Sequence, residues 1–416
     1  MITPWSPAIL RPNGWLRRHG ALVLIACIGS LALALKVTLA LRTRGTNDIV
    51  YWELFLATLK EAGGIGVYQQ VAIFNHPPFI LHLLRVLDGV AEATGLPFAF
   101  WLRVPAIAAD AGSLAIVARL LAVPPLGQGQ RATMAALLLL ALAPVSIMVS
   151  GFHGNTDPVM IFFVLLSLYY LDVRRKPWLA GVAFGMAINI KVVPLMFVPV
   201  LTVYLWKRRE VVQFFVACTG VVSLGSMPYL LQDPWLISRH VLGYASSYGY
   251  WGMSRVITMV IPGTETEIAY GQFGRTLTLG LIVLASVMMG LRKASVPIFT
   301  QCGVIAFVFM TSTPGFGIQY LAWLVPWVVG FGFWPTVLYY ATSGVFAFSV
   351  YTYWSHGLPW YFADARVFDP DWWPMSIVSI ELICWLSVGF LLCWIARIMV
   401  ARHPGADAPE VLVHEI

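Results

Sequence analysis

Charged residues are scarce in this sequence. Asp, Glu, Lys and Arg make up 11% of its 416 residues, whereas soluble domains contain about 25%. Hydrophobic residues account for 59% of the chain, and the mean hydropathy is +0.79. No stretch has the composition of a soluble domain, and there is no internal repeat or low-complexity tract. This composition excludes an ordinary soluble protein and predicts an all-α membrane protein with many spans.

The sequence also lacks the patterns of disulfide, metal and nucleotide sites. Its five cysteines all fall within apolar segments, so neither a disulfide framework nor a metal-ligand spacing is visible. No glycine-rich loop of the kind that holds nucleotide phosphates occurs. Residues 1–20 contain no small-residue cleavage site after an apolar core, which predicts an uncleaved first helix. We therefore predict no cofactor and no removable signal peptide.

Apolar segments that can cross a bilayer recur along the chain. Because several are shorter than a full span, we predict about 10–12 transmembrane helices. The predicted spans lie near residues 21–41, 98–121, 132–150, 157–172, 178–190, 192–206, 211–230, 274–291, 297–311, 318–333, 335–353 and 374–398. They divide the chain into a cytoplasmic segment 1–20, a polytopic domain 21–398 and a cytoplasmic tail 399–416.

Lysine and arginine collect in alternate short connections, such as residues 174–176 and 207–209. This pattern places those connections and both termini in the cytoplasm. The net charge of +7 follows from this bias, so we predict no nucleic-acid partner. The opposite loops are richer in aromatic, Gly, Pro, His and Asp residues and face outward, which for a bacterial inner membrane means the periplasm. These loops are 42–97, 150–156, 231–273, 311–317 and 354–373.

The first outer loop carries the leading candidate for a catalytic base. Its residues repeat with helical spacing, which predicts a helix lying in the membrane interface. One face contains Ile49, Trp52, Leu56 and Leu59, and another contains Asp48, Tyr51, Phe55 and Thr58. Thr46 or Asn47 would cap this helix and place Asp48 in its first turn, where the helix dipole favours an ionised carboxylate. An ionised, accessible Asp48 is therefore the predicted base.

Other polar residues fall at the predicted outer ends of the spans. They are His76, Arg103, His153, Asn155, Asp157, Lys191, Arg255, Gln319, Tyr320 and Trp323. Several have a structural interpretation as well as a functional one. Asp157 could serve at a helix N-terminus, Lys191 could snorkel to the interface, and Arg103 could pair with Asp110 to lock two helices together.

The order of these motifs resembles a known family. Asp48 is followed by Gly-Val-Tyr at 66–68 and Asn-His-Pro-Pro at 75–78, then by Gly-Asn-Thr-Asp, Lys-Val-Val-Pro and Gln-Tyr-Leu-Ala-Trp-Leu-Val-Pro. This succession resembles the C-type membrane glycosyltransferases from about Leu41 to Pro326. It is most similar to the bacterial mannosyltransferases that use polyprenyl-phosphate-mannose and, more distantly, to the eukaryotic mannosyltransferase of glycolipid-anchor assembly.

The resemblance implies an inverting enzyme with interfacial helices in its first outer loop. Such an enzyme would pass a hexose, mannose-like, or a pentose from a polyprenyl-phosphate donor to a glycolipid or glycan acceptor on the outer face. Asp48 would be the general base. Lys191, His153, Arg103 and Arg255 would bind the donor and its phosphate. The remaining substrate contacts would come from His76, Asn155, Asp157, Gln319, Tyr320 and Trp323.

Related families use a metal bound by a second acidic residue, but here Asn47 precedes Asp48 and no Asp-x-Asp follows. A divalent metal is therefore not indicated. We expect the site residues to converge on one outer cavity with a groove open to the membrane lipid. The alternative functions are a transporter or lipid flippase, because charges within a membrane also mark transport pathways, and a noncatalytic assembly subunit.

Overall fold

The computed structural model describes residues 13–121, 130–243, 246–292, 296–365 and 373–401. The first helices are α1 Asn13–Arg42, α2 Asp48–Gln70, α3 Phe79–Thr94, α4 Phe98–Leu120, α5 Gln130–Ala141, α6 Pro144–Met148, α7 Asp157–Asp172, α8 Pro177–Ile190 and α9 Val198–Trp206. They are followed by α10 Val211–Leu230, α11 Pro234–Leu242, α12 Gly252–Val260, α13 Glu265–Leu291, α14 Ile298–Ser312, α15 Leu321–Val328, α16 Phe333–Trp354 and α17 Met375–Ala401.

Short irregular turns and strands complete the described chain. Val149–His153 is a π-helix, and Val193–Phe197, Ile318–Tyr320 and Val329–Phe331 are 3₁₀-helices. The strands have two residues each: β1 Gly45–Thr46, β2 Ser247–Tyr248, β3 Gly315–Phe316 and β4 Phe362–Ala363. β1 pairs with β4 in parallel, and β2 pairs with β3 antiparallel. The two pairings join connections that are distant in sequence.

The all-α membrane class is confirmed. A helix occupies each of the twelve predicted span positions. Within the described residues, six helical segments are long and apolar enough to cross a membrane: Val23–Arg42, Phe98–Leu120, Ala132–His153, Val211–Leu230, Glu265–Leu291 and Met375–Met399. Pro177–Ile190 is apolar but shorter, and its 14 residues extend only about 21 Å. The predicted total of about 10–12 spans therefore stays a prediction.

The core runs through the packed helices. α4 packs on α1 and α7, and α8 packs on α7 and α10. α14 packs on α13, α15 and α17, and α16 packs on α17. Below, the outer end of the protein means the side at which the predicted outer loops connect the helices. Only residues 13–20 and 399–401 of the predicted terminal segments lie within the described chain.

The predicted first outer loop is helical. The helix predicted from Asp48 onward is present as α2, with a break at Gly63, whose φ is 72°; its position in the membrane interface stays a prediction. Its buried face is wider than expected because Phe55 and Thr58 are buried together with the predicted apolar residues. The loop contains a second helix, α3, in agreement with the more than one helix that the family resemblance implies there. It begins immediately after Pro77 and Pro78.

The predicted pairing of Arg103 with Asp110 is wrong. Asp110 accepts a hydrogen bond from the Lys36 ammonium on α1 at 2.5 Å. It also accepts hydrogen bonds from Ser146, at 2.7 Å, and from Ser150. This cluster joins α1, α4, α6 and the π-helix, so the negative charge of Asp110 is compensated inside the membrane domain.

Candidate active site

Two secondary-structure elements place Asp48 at the outer end. Asp48 is the first residue of α2, and β1 lies just before it, paired with β4. The predicted capping is only partly right. The Asn47 side-chain amide donates to the Ala365 carbonyl at 3.0 Å and makes no capping hydrogen bond to α2. Thr46 Oγ1 accepts a hydrogen bond from the Asp48 amide at 3.3 Å and donates one to the His153 carbonyl at 2.9 Å. Thr46 therefore joins the start of α2 to the π-helix.

His153 and Asn155 converge on the Asp48 carboxylate. Oδ2 of Asp48 lies 3.0 Å from His153 Nε2 and 3.2 Å from Asn155 Nδ2. The His153 side chain is 4% exposed, while that of Asp48 is 30% exposed. Within the described chain no residue hydrogen-bonds Oδ1 of Asp48. The two neighbours therefore hold the carboxylate in place, and one of its oxygens is left for a substrate hydroxyl.

These neighbours also keep Asp48 ionised. Burial by itself would raise the pKa of Asp48. The His153 ring, the hydrogen bonds from His153 and Asn155, and the charge of Lys191 outweigh that effect and lower the pKa below the ordinary aspartate value. A carboxylate with a lowered pKa remains deprotonated at neutral pH. Asp48 is thus available as a proton acceptor.

Removing the Asn155 amide should shift the pH dependence of activity. In Asn155→Ala the pKa of Asp48 is expected to rise because one stabilising hydrogen bond is lost while burial remains. If Asp48 is the base, it works only when deprotonated, so the acid side of the kcat/KM profile should move to higher pH. The profile should be measured from about pH 4 to pH 8. Asn189→Ala is the control, since the Asn189 amide bonds the Val221 carbonyl. Identical profiles for all three proteins would contradict this account of Asp48.

Gly154 shapes the chain between the two residues that contact Asp48. Its φ is +83°, and a Cβ at this position would overlap the side chain of Ile49. Both facts explain why glycine follows the π-helix, since an L side chain adopts this conformation only with strain. The carbonyl of Gly154 also accepts a hydrogen bond from Trp52 Nε1 at 3.1 Å.

Gly154→Ala should therefore destabilise the protein by about 1–3 kcal/mol. Gly89→Ala is the matched control, because Gly89 lies on α3 with open space where a Cβ would stand. The control should be neutral or slightly stabilising, as expected for alanine in a helix. Thermal unfolding in detergent would compare the two variants. Equal melting temperatures would show that the backbone tolerates a side chain here.

A buried ion pair lies beside this cluster. Lys191 Nζ donates to Asp157 Oδ1 at 2.7 Å, and the two side chains are 9% and 0% exposed. Asp157 is the first residue of α7, and its amide donates to Asn155 Oδ1 at 3.0 Å. The interpretation of Lys191 as a snorkelling residue is therefore wrong. A chain of contacts connects Lys191 to Asp48 through Asp157 and Asn155.

Asp48 and His153 open onto a cavity of about 410 Å³. Gln319 is the third predicted site residue in its lining. The rest of the wall comes from the start of α2, the α11–α12 connection, the segment from β3 into the following 3₁₀-helix, the end of α16 and the α16–α17 connection. These residues are Asn47, Tyr51, Ser247, Tyr250, Phe316, Gly317, Ile318, Tyr353, Trp354, His356, Asp364, Ala365 and Trp373. The wall thus combines aromatic rings with two carboxylates and two imidazoles.

Four of the predicted site residues, His76, Asp157, Lys191 and Tyr320, are buried and do not belong to the cavity lining. Burial lowers the pKa of His76 to about 3, and the Lys191 charge acts in the same direction. His76 is therefore a neutral imidazole at neutral pH. Its ring packs on Trp52 with the ring centroids 4.6 Å apart. Asp48, His153 and Gln319 share one cavity as predicted, whereas these four residues do not line it. That the cavity faces outward stays a prediction.

The aromatic-proline motif packs around Lys191. The rings of Tyr320 and Trp323 stack with their centroids 4.0 Å apart. Lys191 Nζ lies 5.5 Å and 5.7 Å from the two ring centroids, within the range of a cation–π interaction. Tyr320 Oη also donates to Ser246 Oγ at 3.0 Å. The motif therefore stabilises the buried cation and anchors the connection that precedes β2.

The structure does not bring the two predicted arginines into the Asp48 cluster. Arg103 is fully buried and donates to the carbonyl oxygens of Ala40 and Thr43, both at 3.1 Å, and of Arg44. It thereby holds the end of α1. Arg255 is also buried, with Nε 3.8 Å from Glu381 Oε2 on α17.

Arg255 lies against the cavity wall from the outside. Its guanidinium is 5.3 Å from the Tyr250 ring centroid and 5.4 Å from that of Trp373, and both rings line the cavity. Arg255 is therefore placed to support the wall. The geometry gives no direct contact between Arg255 and the Asp48 carboxylate.

Sequence reasoning missed residues of the α16–α17 segment. Tyr351 contacts His153, with its Oη 2.9 Å from Nδ1. Asp364 lies in the cavity wall one residue beyond β4. The loop 354–373, which contains Asp364, was predicted to face outward. No sequence pattern marks Tyr351 as a site residue, because it is a single tyrosine within an apolar helix. In the described part of the chain, no group of three or more His, Cys, Asp or Glu side chains is arranged to hold a metal ion. A metal requirement stays untested.

Comparison with known proteins supports the resemblance found from the motifs. Residues 74–256 match the model of glycosyltransferase family 87, a family of C-type membrane glycosyltransferases. The matched range is somewhat less than half of the chain. It includes His76, His153, Asn155, Asp157 and Lys191, but neither Asp48 nor the aromatic-proline motif. A comparison with curated proteins finds no match.

Proposed function

We propose that this C-type membrane glycosyltransferase transfers a sugar from a polyprenyl-phosphate donor to an acceptor hydroxyl at its outer end. In this proposal Asp48 is the general base. The observation that carries it is the Asp48 carboxylate at a cavity of about 410 Å³, held through Oδ2 by His153 and Asn155.

The chemistry follows from the position of the free carboxylate oxygen. The acceptor oxygen attacks the anomeric carbon of the donor sugar while the bond from that carbon to the phosphate oxygen breaks. The phosphate leaves with the bonding electron pair, and the acceptor proton goes to Asp48 Oδ1. Attack opposite the leaving group inverts the anomeric centre. A low-pKa aspartate can accept this proton late, when the sugar has become cationic and the hydroxyl more acidic, and its charge also stabilises that cation.

Lys191, which lies outside the cavity lining, supplies positive charge for the leaving phosphate. Lys191 is close enough for its charge to lower the pKa of Asp48. An ammonium in a region of low dielectric stabilises an anion far more than it would in water. We therefore assign Lys191 the role of stabilising the donor phosphate, either in its position next to Asp157 or after moving toward the cavity.

The membrane setting supports a lipid-borne donor. Apolar helices surround the site residues, so a long isoprenoid chain can remain in the bilayer while its phosphate reaches the outer end. Nucleotide sugars are confined to the cytoplasm and would not reach a site on the predicted outer face. The aromatic rings of Tyr250, Trp354 and Trp373 in the cavity wall provide apolar surfaces with polar edges for sugar rings.

Transfer by the purified protein tests this proposal. The full chain in detergent or nanodiscs should be given polyprenyl-phosphate sugars labelled in the sugar, each with a lipid extract that contains glycolipid acceptors. We expect labelled product with at least one hexose or pentose donor and an inverted anomeric linkage. Absence of transfer with every donor, combined with solute uptake or lipid flipping by proteoliposomes, would replace the proposal with the transporter function.

A further inference from the structure

A second cavity, of about 490 Å³, lies between α1 and α4. In the described chain it shares no lining residue with the cavity at Asp48. Its lining follows α1 from Ile25 to Lys36 and α4 from Ile107 to Arg119. As a helix, the stretch from Ile107 to Arg119 is about 18 Å long, close to the depth of one leaflet of a bilayer whose hydrocarbon is roughly 30 Å thick. We call this cavity the α1–α4 slot.

Small side chains create the space in the slot. Ala26 and Gly29 line it on α1, and Ala111, Ala115 and Ala118 line it on α4. Ala111 and Ala115 are exposed, so the slot opens sideways toward the predicted membrane lipid. Small residues also let two transmembrane helices approach closely, so they do not by themselves indicate a ligand.

The Ser113 hydroxyl indicates a polar group in the occupant of the slot. Ser113 lines the slot and is 7% exposed, and among the described residues its Oγ has no hydrogen-bond partner. A buried hydroxyl without a partner is destabilising, and most buried polar groups in proteins are hydrogen-bonded. We therefore expect the occupant to place an acceptor atom next to Ser113 Oγ.

The charges of the slot favour an anion at its inner end, the end opposite the outer end. Lys36 and Asp110 pair at 2.5 Å, so their charges compensate each other. Among the charged residues of the described lining, Arg119 then sets the net charge. Arg119 lies in the last turn of α4, about 9 Å along the helix from Ser113. Its guanidinium has the geometry that binds a phosphate group through parallel hydrogen bonds.

We propose that the α1–α4 slot binds one anionic glycerophospholipid from the bilayer. Its phosphate contacts Arg119, one ester carbonyl accepts a hydrogen bond from Ser113 Oγ, and one acyl chain lies between α1 and α4. A polyprenyl phosphate has no ester carbonyl, and inorganic phosphate has no apolar chain, so neither of them uses all three features. The proposal does not depend on the reaction assigned to the cavity at Asp48.

Native mass spectrometry of the full-length protein in detergent tests this proposal. The protein is titrated with phosphatidylglycerol, with phosphatidylcholine of the same acyl chains and with a polyprenyl phosphate. We expect one phosphatidylglycerol to bind at least about 5-fold more tightly than phosphatidylcholine, the effect of one arginine near an anionic head group. An equal concentration of the polyprenyl phosphate should not displace it.

Arg119→Gln should remove the preference for phosphatidylglycerol over phosphatidylcholine. Arg174→Gln is the matched control, because Arg174 is an exposed arginine between α7 and α8, outside the slot lining. It should keep the wild-type preference. Arg119 is itself exposed, so its substitution should leave the fold intact.

Ser113→Ala should weaken phosphatidylglycerol binding by about 3- to 10-fold, as for loss of one neutral hydrogen bond. Without added lipid this variant should melt at the wild-type temperature or slightly above it, because it removes a buried hydroxyl that has no partner. Its weaker binding would therefore not come from unfolding.

Ala115→Phe should fill the slot and abolish the tight binding. Ala108→Phe is the control, because it adds the same ring at an exposed position of α4 outside the slot lining, and it should bind phosphatidylglycerol like the wild type. Equal affinity of the wild type for the two glycerophospholipids, or displacement by the polyprenyl phosphate, would overturn the proposal. So would a preference retained in Arg119→Gln, or unchanged binding in Ser113→Ala or in Ala115→Phe.

Discussion

Asp48→Asn should lower the rate of sugar transfer by about 10²–10⁴-fold, the usual contribution of a positioned general base. Asparagine has nearly the same shape as aspartate, but it cannot take the acceptor proton or stabilise a cationic sugar. Donor affinity should change little because the carboxylate acts mainly in the transition state. Single-turnover kinetics together with donor binding would separate the two effects.

Asp88→Asn is the control for this change. Asp88 lies on α3 and pairs with Lys60 at 2.6 Å, away from the described cavity lining. This variant removes an aspartate charge from the same connection and should keep wild-type transfer. Near-normal turnover in Asp48→Asn would remove Asp48 from the mechanism, and Asp364, the other carboxylate in the wall, would become the next residue to test.

Loss of the Lys191 cation should raise the donor KM by about 10- to 100-fold, the effect of losing one hydrogen bond to a charged group. Chemistry after binding should change less. The single change Lys191→Ala is difficult to interpret by itself, because it leaves the buried carboxylate of Asp157 without compensation. Breaking a buried pair in this way costs about 3–5 kcal/mol.

The double variant Lys191→Met with Asp157→Asn resolves this difficulty. It removes both charges, retains side chains of similar size and avoids an uncompensated buried carboxylate. If Lys191 stabilises the donor phosphate, the double variant should fold normally and keep the raised KM. Asp157→Asn alone also breaks the buried pair and should lower stability, but it retains the cation, so the donor KM of the folded protein should stay near the wild-type value. A wild-type KM in the double variant would mean that Lys191 serves only to neutralise Asp157.

Part of the site could be predicted from the sequence because its residues lie in short local motifs. Asp48 follows two good capping residues, and the Gly-Asn-Thr-Asp tract ends a long apolar segment. The alternation of basic loops predicted that both segments lie on the same side of the membrane. The 3.0 Å contact between Asp48 and His153 confirms the expectation that these segments meet.

Other parts could not be predicted because they depend on partners far away in sequence. The sequence allowed Lys191 to snorkel or to bind the donor phosphate, since nothing local shows that Asp157 lies beside it. Arg103 was expected to meet a phosphate, but it bonds carbonyl oxygens at the end of α1. Asp110 finds its counter-charge in Lys36, 74 residues earlier. In each case burial selects the partner, since a charge in a low-dielectric interior must be compensated.

The sequence by itself determined the class of the protein and the positions of its long helices, and it singled out Asp48 as the leading candidate for a base. These properties depend on composition and on periodicity along a single segment, where hydrocarbon thickness and helical geometry act directly on neighbouring residues. Only the tertiary structure decided which side chains face the cavity and which support it from behind. It placed Tyr351 against His153 and Asp364 in the cavity wall. Helix packing and the β1–β4 pairing bring together residues about 200–300 positions apart, and no local sequence pattern shows that such distant residues meet.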